Sequence, residues 1–284
     1  MNPEMIVQAC GLNQLQYHSV AGGDSNRSYH LRCREGNFFL KVNSAAAFPW
    51  MFRKEATGLA ALQQLNTACI PEVIGTGVTN GDQYLLLQWL EQGTADESFW
   101  EQLGRSLAVQ HRHRQPFFGW EEDNYIGRLP QPNGQRDSWA AFYSQERILP
   151  LVQQLTESGA FDRSVARSAG RCCQRLDQLF PPEPPALLHG DLWYGNVMPL
   201  AAGGPALFDP AVYYGHREMD LGMSRLFGGF HQRFYEAYQE MYPLEPGWHD
   251  RLELAQLYPL LVHAVLFGGS YIQDSAAIIR NWGA

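Results

Sequence analysis

The sequence predicts an α+β protein that combines a small antiparallel sheet with a mainly helical second part. Two observations lead to this fold class. Five short strand-like segments, separated by turn signals, occur before residue 91, whereas segments with helical periodicity dominate after it. We therefore expect two parts, residues 1–90 and residues 91–284, that meet near residue 90.

The elements of the first part can be assigned in chain order. After an opening helix, three strand candidates are joined by the turn signals GGDSN and REGN. A helix is predicted next because Leu59, Leu62 and Leu65 recur at helical spacing. Two more strand candidates are separated by NGDQ. The strands are QYHSV, RSYHLRC, NFFLKV, PEVIGTGVT and QYLLLQWL, and the helix is FPWMFRKEATGLAALQQL.

The second part is predicted to be mainly helical. PPEPP at 181–185 ends a run of helical segments, because proline disfavours helix at its own position and at the preceding residue. ALFDP favours a short strand, and helix is expected again from residue 217 to the C-terminal segment. The helical segments are ESFWEQLGRSLAVQHRHR, DSWAAFYSQERILPLVQQL, FDRSVARSAGRCCQRLDQLF and REMDLGMSRLFGGFHQRFYEAYQEMY.

Composition excludes several classes of protein. A formal charge of −8 argues against general binding of nucleic acid, which needs a clustered positive surface. No stretch approaches the roughly 18 to 20 apolar residues of a membrane helix, and the N-terminus lacks the pattern of a secretory signal. The five cysteines form no CxxC pair, and their odd number suits a reducing compartment, so we expect a cytoplasmic protein. The oligomeric state is left open.

The segment LLHGDLWYGN, residues 187–196, contains the pattern that most strongly indicates chemistry. Asp191 and Asn196 have the D-x-x-x-x-N spacing, and Asp209 follows in ALFDP. In kinase-type phosphoryl transfer, one aspartate accepts the hydroxyl proton while an asparagine and a second aspartate hold Mg²⁺. An ordinary loop with Asx-turns remains an alternative, as does a transition-metal site at His189 and Asp191, although no histidine pair completes its ligands.

A lysine in a strand pattern supports the kinase hypothesis. Only two of the 21 basic Lys and Arg residues are lysine, and Lys41 lies within FFLKV, where alternation puts it opposite Leu40 and Val42. A lysine there can reach nucleotide phosphates, with Glu55 of the next helix as its ionic partner. The alternative is an edge-strand lysine and a solvated glutamate. The second lysine, Lys54, is expected only to solvate the helix.

Two further segments are candidate nucleotide contacts. Gly22 and Gly23 in GGDSN could let backbone N–H groups approach phosphates, although a simple hairpin turn fits the same residues. The residues Gln88, Trp89 and Leu90 fall at the predicted junction of the two parts. Their backbone could hydrogen-bond adenine, although any connector would look similar.

Several residues near these motifs receive weaker assignments. Arg217 and Glu218 follow the second aspartate closely enough to border a substrate cleft, and Asp220 is expected to anchor its helix to the catalytic loop. His111 and His113 lie two apart on a predicted helix and so on different faces, which favours a solvated helix end over a metal site.

The order of these features resembles the protein-kinase-like fold, and HGD in place of HRD resembles its small-molecule branch, which includes aminoglycoside and choline kinases. LLHGDLWYGN is similar to the signature of the fructosamine kinase (ketosamine-3-kinase) family. Three other segments also resemble that family and extend the likeness over nearly the whole chain. They are FFGWEEDNYIGRLPQPN, FDPAVYYGHREMDLGMSRLFGGF and LFGGSY.

The resemblance implies a bilobal kinase-like fold and specific roles. Asp191 would be the catalytic base, Asn196 and Asp209 would bind Mg²⁺, and Trp193 would line the sugar pocket. Lys41 and Glu55 would orient ATP. Members of this family phosphorylate the 3-hydroxyl of a ketosamine, after which the amine is released, so deglycation repair is expected. A different small-molecule kinase and a non-catalytic nucleotide-binding protein remain the alternatives.

Overall fold

The computed structural model describes residues 3–13, 16–20 and 26–284, and its first part is a five-stranded antiparallel sheet. The strand order is β1-β2-β3-β5-β4, with one helix between the third and fourth strands. The predicted element order is therefore confirmed. The elements are α1 (Pro3–Ala9), β1 (Gln16–Ser19), β2 (Arg27–Cys33), β3 (Gly36–Ser44), α2 (Met51–Gln63), β4 (Val73–Thr79) and β5 (Asp82–Gln88).

The hairpin between β4 and β5 illustrates how local sequence fixes the sheet. Asn80 and Gly81 form its two-residue turn, and both have positive φ, 51° and 81°. An Asn-Gly pair tolerates these angles, and the turn's twist matches that of the strands. The predicted NGDQ turn is thus present and sets the register of the two strands.

The two faces of the sheet pack against different helices. Leu40 and Val42 of β3 face Ile6 and Val7 of α1 in one apolar cluster. Lys41 projects from the opposite face, which also carries Leu85 and Leu87 and packs on α2. The period of two along β3 therefore separates a buried apolar face from the face that carries the lysine.

Helix α2 contacts the second part of the protein at several points. Arg53 forms a 2.6 Å ion pair with Glu122, and the Tyr125 hydroxyl donates to the Pro49 carbonyl at 3.1 Å. At Gly58 a Cβ atom would lie 3.1 Å from a methyl group of Val212, so α2 packs closely against the segment that contains Val212. These contacts fix the position of the helix relative to the residues that follow Asp209.

The second part is mainly helical, as predicted. Its helix α3 begins at an Asp96 cap that accepts a hydrogen bond from the Phe99 N–H at 2.8 Å. Within the described ranges no helix has the length and apolar character needed to cross a bilayer. The helices are α3 (Glu97–Gln110), α4 (Trp139–Phe142), α5 (Leu149–Glu157), α6 (Arg163–Gln174), α7 (Leu176–Leu179), α8 (Glu218–Met223), α9 (Gln232–Met241), α10 (Leu252–Phe267) and α11 (Ser270–Trp282).

Two helical predictions need correction. The segment from residue 217 to residue 242 is not one helix, because Phe227, Gly228 and Gly229 all have positive φ and form a loop between α8 and α9. The helical run after Ser138 is continuous, but α4 passes into a π-helical turn at Tyr143–Ile148 before α5 begins.

Three short antiparallel hairpins or ribbons complete the second part. The strand Ala186–Leu188 follows PPEPP and pairs with Tyr213–Gly215, while Val197–Pro199 pairs with Pro205–Leu207. The chain segments 189–196 and 208–212 each connect one of these two ribbons to the other, and hydrogen bonds between them hold them side by side. The strands are β6 (Asn124–Ile126), β7 (Leu129–Gln131), β8 (Ala186–Leu188), β9 (Val197–Pro199), β10 (Pro205–Leu207) and β11 (Tyr213–Gly215).

Candidate active site

The loop that follows β8 requires glycine at position 190. Gly190 has φ 81°, and a Cβ atom there would lie 2.0 Å from the carbonyl oxygen of Ala211. The same contact zone contains a 2.9 Å hydrogen bond from the Ala211 N–H to the His189 carbonyl. The loop 189–196 is therefore held directly against the segment that carries Asp209.

His189 organises this loop and has no free ring nitrogen. Its Nδ1 accepts from the Asp191 N–H at 3.3 Å, so we assign the proton to Nε2, which lies 3.1 Å from the Phe208 carbonyl oxygen. Burial lowers the pKa of His189, in agreement with a neutral ring. Because both nitrogens are engaged, the alternative of a transition-metal site at His189 loses its first ligand.

Asp191 and Asn196 are joined by hydrogen bonds. The Asn196 amide nitrogen donates to the Asp191 carbonyl oxygen at 2.8 Å and to its Oδ2 at 2.9 Å. Burial raises the pKa of Asp191 to about 7, and the Asn196 hydrogen bond only partly opposes this, while the charges of Asp209 and Asp220 add to it. The carboxylate therefore has an affinity for a proton in the neutral range.

Lys41 connects the sheet to the second part. Its Nζ lies 2.7 Å from Glu55 Oε1 and 2.8 Å from Asp209 Oδ1. Burial alone would lower the pKa of Lys41, but the two carboxylates outweigh it and raise this pKa above its ordinary value. The ammonium group is therefore charged and held between α2 and the segment after β10.

Asp209 and Asn196 converge because of the β9–β10 pair. Val197 pairs with Leu207, and the Phe208 N–H donates to the Asn196 carbonyl at 3.2 Å. Asp209 itself has φ 54°, an uncommon conformation for a residue other than glycine. Among the described residues its Oδ2 atom has no hydrogen-bond or ion-pair partner.

Asp220 anchors helix α8 to the loop 189–196, as predicted. Its two oxygens accept from the N–H groups of His189 at 2.8 Å and Gly190 at 2.9 Å. His111 is the third partner, with its Nε2 3.2 Å from Asp220 and its Nδ1 2.9 Å from the Tyr238 hydroxyl. The prediction that His111 is a solvated helix end is wrong, because the side chain is fully buried, whereas His113 is exposed.

The predicted catalytic residues share one cleft of about 700 Å³. Trp193 lies on the wall next to them. Spacing in the sequence thus identified a set of side chains that the fold brings to a common surface. The set comprises Lys41, Glu55, Asp191, Asn196 and Asp209.

An aromatic wall closes the far side of this cleft. Trp193 and Phe227 form a T-shaped pair with ring centroids 6.0 Å apart. Phe227 also lies 4.7 Å from the ring of His263, which lies 5.1 Å from Tyr271 and 5.5 Å from Phe267. Phe227 is 38% exposed and has φ 55°, so it is held in a strained conformation at the cleft.

Not every candidate residue reaches the cleft. The Gln88 and Trp89 N–H groups donate to the carbonyls of Glu72 and Asn37, at 2.9 Å and 3.3 Å, so neither is available to donate to adenine. The Trp89 indole stacks on His30 at 3.7 Å. Leu90 remains a proposed contact, and Gly22 and Gly23 lie outside the described residues.

Arg217 and Glu218 were predicted to border the cleft, and the structure places them elsewhere. Arg217 is 2% exposed and forms a two-pronged ion pair with Glu183. Glu218 is 3% exposed and pairs with Arg251 at 2.6 Å. The first turn of α8 directs both side chains toward the 181–185 segment and the start of α10, away from the cleft.

Several residues that line the cleft were not predicted to do so, and the prediction that Lys54 only solvates its helix is wrong. Lys54 lines the cleft, with its Nζ 5.7 Å from the Tyr125 ring centroid. Arg128 and the aromatic residues near the ends of α10 and α11 also lie there. The two glycines after Phe227 were the one local sequence signal of a loop in that region. The spacing of the other cleft residues in the sequence does not indicate that they line a cleft.

Comparisons with known proteins decide the family. A family model described as fructosamine kinase matches residues 5–283. The chain belongs to the fructosamine kinase family. This fructosamine kinase family member is 41% identical over 266 residues to a probable ketoamine kinase of Synechocystis sp., covering 93% of this chain and 88% of the relative. It is 37% identical to a probable ketoamine kinase of Thermus thermophilus, covering 96% of each chain.

Solved structures agree with the family and define the fold. A candidate fructosamine-3-kinase of Thermobifida fusca aligns with a TM-score of 0.87 at 34% identity, covering 98% of this chain and 97% of that chain. An aminoglycoside phosphotransferase, in ternary complex with ADP and hygromycin B, aligns over 99% and 98% of the two chains with a TM-score of 0.64 at 16% identity. The latter likeness shows the fold alone, which is protein-kinase-like as expected.

Proposed function

We propose that this protein transfers the γ-phosphoryl group of ATP to the 3-hydroxyl of a ketosamine, the sugar adduct of an amine. Membership of the fructosamine kinase family supports a kinase of this class. One observation carries the proposal. The cleft brings Lys41, Asp191, Asn196 and Asp209 together, and these are the side-chain types that phosphoryl transfer to an alcohol requires.

Asp191 is the proposed base. A general base works best when its pKa lies near the operating pH, and burial brings the pKa of this carboxyl to about 7. The sugar hydroxyl would donate its proton to Asp191 while its oxygen attacks the γ-phosphorus. Asn196 keeps the carboxylate oriented through the bond to its Oδ2.

Asn196 and Asp209 are the proposed ligands of Mg²⁺. The Asn196 amide nitrogen is committed to Asp191, which leaves its oxygen for an ion, and Asp209 has Oδ2 without a partner in the described part of the chain. Two hard oxygen ligands suit Mg²⁺, which keeps waters and binds substrate phosphates. When bound, the ion neutralises charge on the phosphates. We propose that Lys41, held by Glu55, orients them.

The acceptor side is proposed to be lined by Trp193. The family likeness supports release of the amine after phosphorylation, so the biological role would be deglycation repair.

A cytoplasmic location is supported by the five cysteines, all of which are unpaired. We further propose that residues 1–90 and 91–284 act as the nucleotide-binding part and the catalytic part.

A panel assay tests the function. The protein is supplied with ATP and Mg²⁺, and phosphate transfer is measured to fructose and ribulose ketosamines, an amino alcohol and an aminoglycoside. We expect transfer to the ketosamines, at the 3-position by NMR. Transfer to the amino alcohol or aminoglycoside alone would replace the proposal with another small-molecule kinase. No transfer to any acceptor, with nucleotide still bound, would indicate a non-catalytic protein.

A further inference from the structure

Two cations that line the cleft form no ion pair with any residue that the structure describes. Lys41, the third cation there, is neutralised by Glu55 and Asp209. Lys54 and Arg128 line the same cleft, and over the ranges that the structure describes neither forms an ion pair. The protein carries a net charge of −8, so unpaired positive charge in its concave site is unusual and favours an anionic ligand.

Both cations flank the β6–β7 hairpin. Ile126 pairs with Leu129, so Gly127 and Arg128 form the two-residue turn at its tip. Lys54 lies across the ring of Tyr125, one residue before Ile126. The hairpin is thus a wall of the cleft with one cation at its tip and one over its first strand.

The tip of this hairpin lies at the acceptor end of the cleft. A Cβ atom on Gly127 would lie 3.3 Å from Leu266, near the C-terminal end of α10. Leu266 adjoins Phe267, which belongs to the aromatic wall that continues through His263 and Phe227 to Trp193. Lys41, which pairs with Glu55 and Asp209, is the proposed contact of the triphosphate. The position of Arg128 therefore suits a group on the acceptor rather than the triphosphate.

We propose that Arg128 and Lys54 bind a carboxylate on the amine portion of the acceptor. The substrate class is then the ketosamine of a free amino acid. A guanidinium group presents two parallel N–H donors that match the two oxygens of a carboxylate. An ammonium group adds electrostatic attraction that does not depend on one orientation. A glycated lysine side chain within a protein lacks this group, because its backbone carboxylate is consumed in a peptide bond. The inference rests on the proposed function.

Matched acceptors test it. The ketosamine of glycine carries the carboxylate, and the ketosamine of glycinamide has the same shape without the charge. We expect kcat/KM to favour the glycine adduct by about tenfold, as for a hydrogen-bonded charge in a cleft. Arg128→Gln and Lys54→Gln should each reduce this ratio, Arg128→Gln to near one, through KM of the glycine adduct. KM for ATP should stay at its wild-type value, because neither cation is proposed to contact the nucleotide.

A remote arginine provides the control, and a third acceptor tests the placement of the anion. Arg167 is exposed on α6 and does not line the cleft, so Arg167→Gln should keep the full ratio. The 6-phosphate of the glycinamide adduct carries its negative charge on the sugar. We expect it to gain no advantage over the unphosphorylated glycinamide adduct. Thermal midpoints of the three variants should match that of the wild type.

Each contrary result has a definite meaning. Equal kcat/KM for the glycine and glycinamide adducts overturns the inference while the proposed kinase function stands. A higher KM for ATP in the two variants, with the acceptor ratio intact, overturns it by assigning the cations to the triphosphate. Preference for the 6-phosphate moves the anion to the sugar and also overturns it. If no ketosamine is phosphorylated, the proposed function fails and the inference fails with it.

Discussion

Burial gives the Asp191 carboxylate a higher affinity for a proton than an aspartate has in water. In water an aspartate releases its proton near pH 4, and such a carboxylate is a weak base. Here the loss of water around the side chain, together with two neighbouring carboxylates, raises its pKa to about 7. The side chain can therefore take a proton from a hydroxyl group at neutral pH if the proposed function holds.

Asp191→Asn tests this role. The amide keeps the shape of the side chain but cannot accept the proton, so we expect kcat to fall by about 10³-fold, with nucleotide affinity largely unchanged. Steady-state kinetics and calorimetric titration with an ATP analogue measure the two quantities. Asp177→Asn, at an exposed position on α7, is the matched control. Unchanged turnover in Asp191→Asn removes the residue from the role of base.

Single residues were predictable where a motif fixes both type and spacing. The five side chains from Lys41 to Asp209 could be proposed as a set because strand alternation and D-x-x-x-x-N spacing constrain them. Arg217 and Glu218 could not be placed correctly. The direction of these two side chains depends on which faces of α8 pack against Glu183 and Arg251. That packing cannot be inferred from their proximity to Asp209 in the sequence.

At the scale of elements, the short helix α8 supports the loop 189–196 through one side chain. Burial alone would raise the pKa of Asp220, but the hydrogen bonds from His111 and from the Gly190 N–H lower it below its ordinary value. Its stabilisation is therefore present above the unfolded-state pKa of about 3.9 and is lost as the pH falls through the lower folded-state value.

Asp220→Asn should accordingly destabilise the protein by about 2 to 4 kcal/mol at neutral pH, because charged hydrogen bonds to buried N–H groups are lost. The gap in thermal midpoint between variant and wild type should narrow as the pH falls below about 4. Asp274→Asn, on the exposed side of α11, provides a reference. A gap that stays constant down to pH 3 contradicts the assigned role of the charge.

A pair of helical glycines tests the packing of α3 on α9. At Gly104 a Cβ atom would lie 2.3 Å from the Phe234 carbonyl oxygen, whereas at Gly170 in α6 nothing lies within 4 Å. Gly104→Ala should destabilise the protein by at least about 2 kcal/mol. Gly170→Ala should stabilise it by up to about 1 kcal/mol. Denaturant unfolding measures both, and equal effects in the two variants rule out close helix contact at Gly104.

The elements were predicted unevenly for physical reasons. The sheet follows from turns such as Asn80-Gly81, whose backbone angles are set locally. The π-helical turn could not be predicted, because it surrounds Arg147, a fully buried cation that stacks on the rings of Phe142 and Tyr213. A hydropathy pattern assigns any arginine to the surface, so the burial of this one is found only in the folded protein.

At the scale of the whole molecule, the sheet and the helical part meet at the cleft. Lys41 comes from β3, Glu55 from α2 and Asp209 from the segment after β10, so the Lys41 ammonium group joins three elements by pairing with two carboxylates. A ligand that bridges these residues stabilises the assembled form and not the unfolded chain. Its binding should therefore raise the stability of the entire protein.

A thermal shift experiment measures this coupling. A non-hydrolysable ATP analogue with Mg²⁺, at 100 times its dissociation constant, should add about 2.7 kcal/mol and raise the thermal midpoint by several degrees. Asp209→Asn should lose most of the shift, and a chelator should remove most of it in the wild type. A full shift in the presence of chelator would show that nucleotide binds without the proposed ion.

Helix α2 is fixed to the second part by the Arg53–Glu122 ion pair, the Tyr125 hydroxyl and the close approach at Gly58. In kinases that respond to signals, the equivalent lysine–glutamate pair is made or broken when its helix moves, and phosphorylation of a mobile segment controls that movement. Here the helix is already held where the pair exists. Under the proposed function, the lysine–glutamate pair therefore forms without a signal, so the rate would follow the concentrations of nucleotide and acceptor.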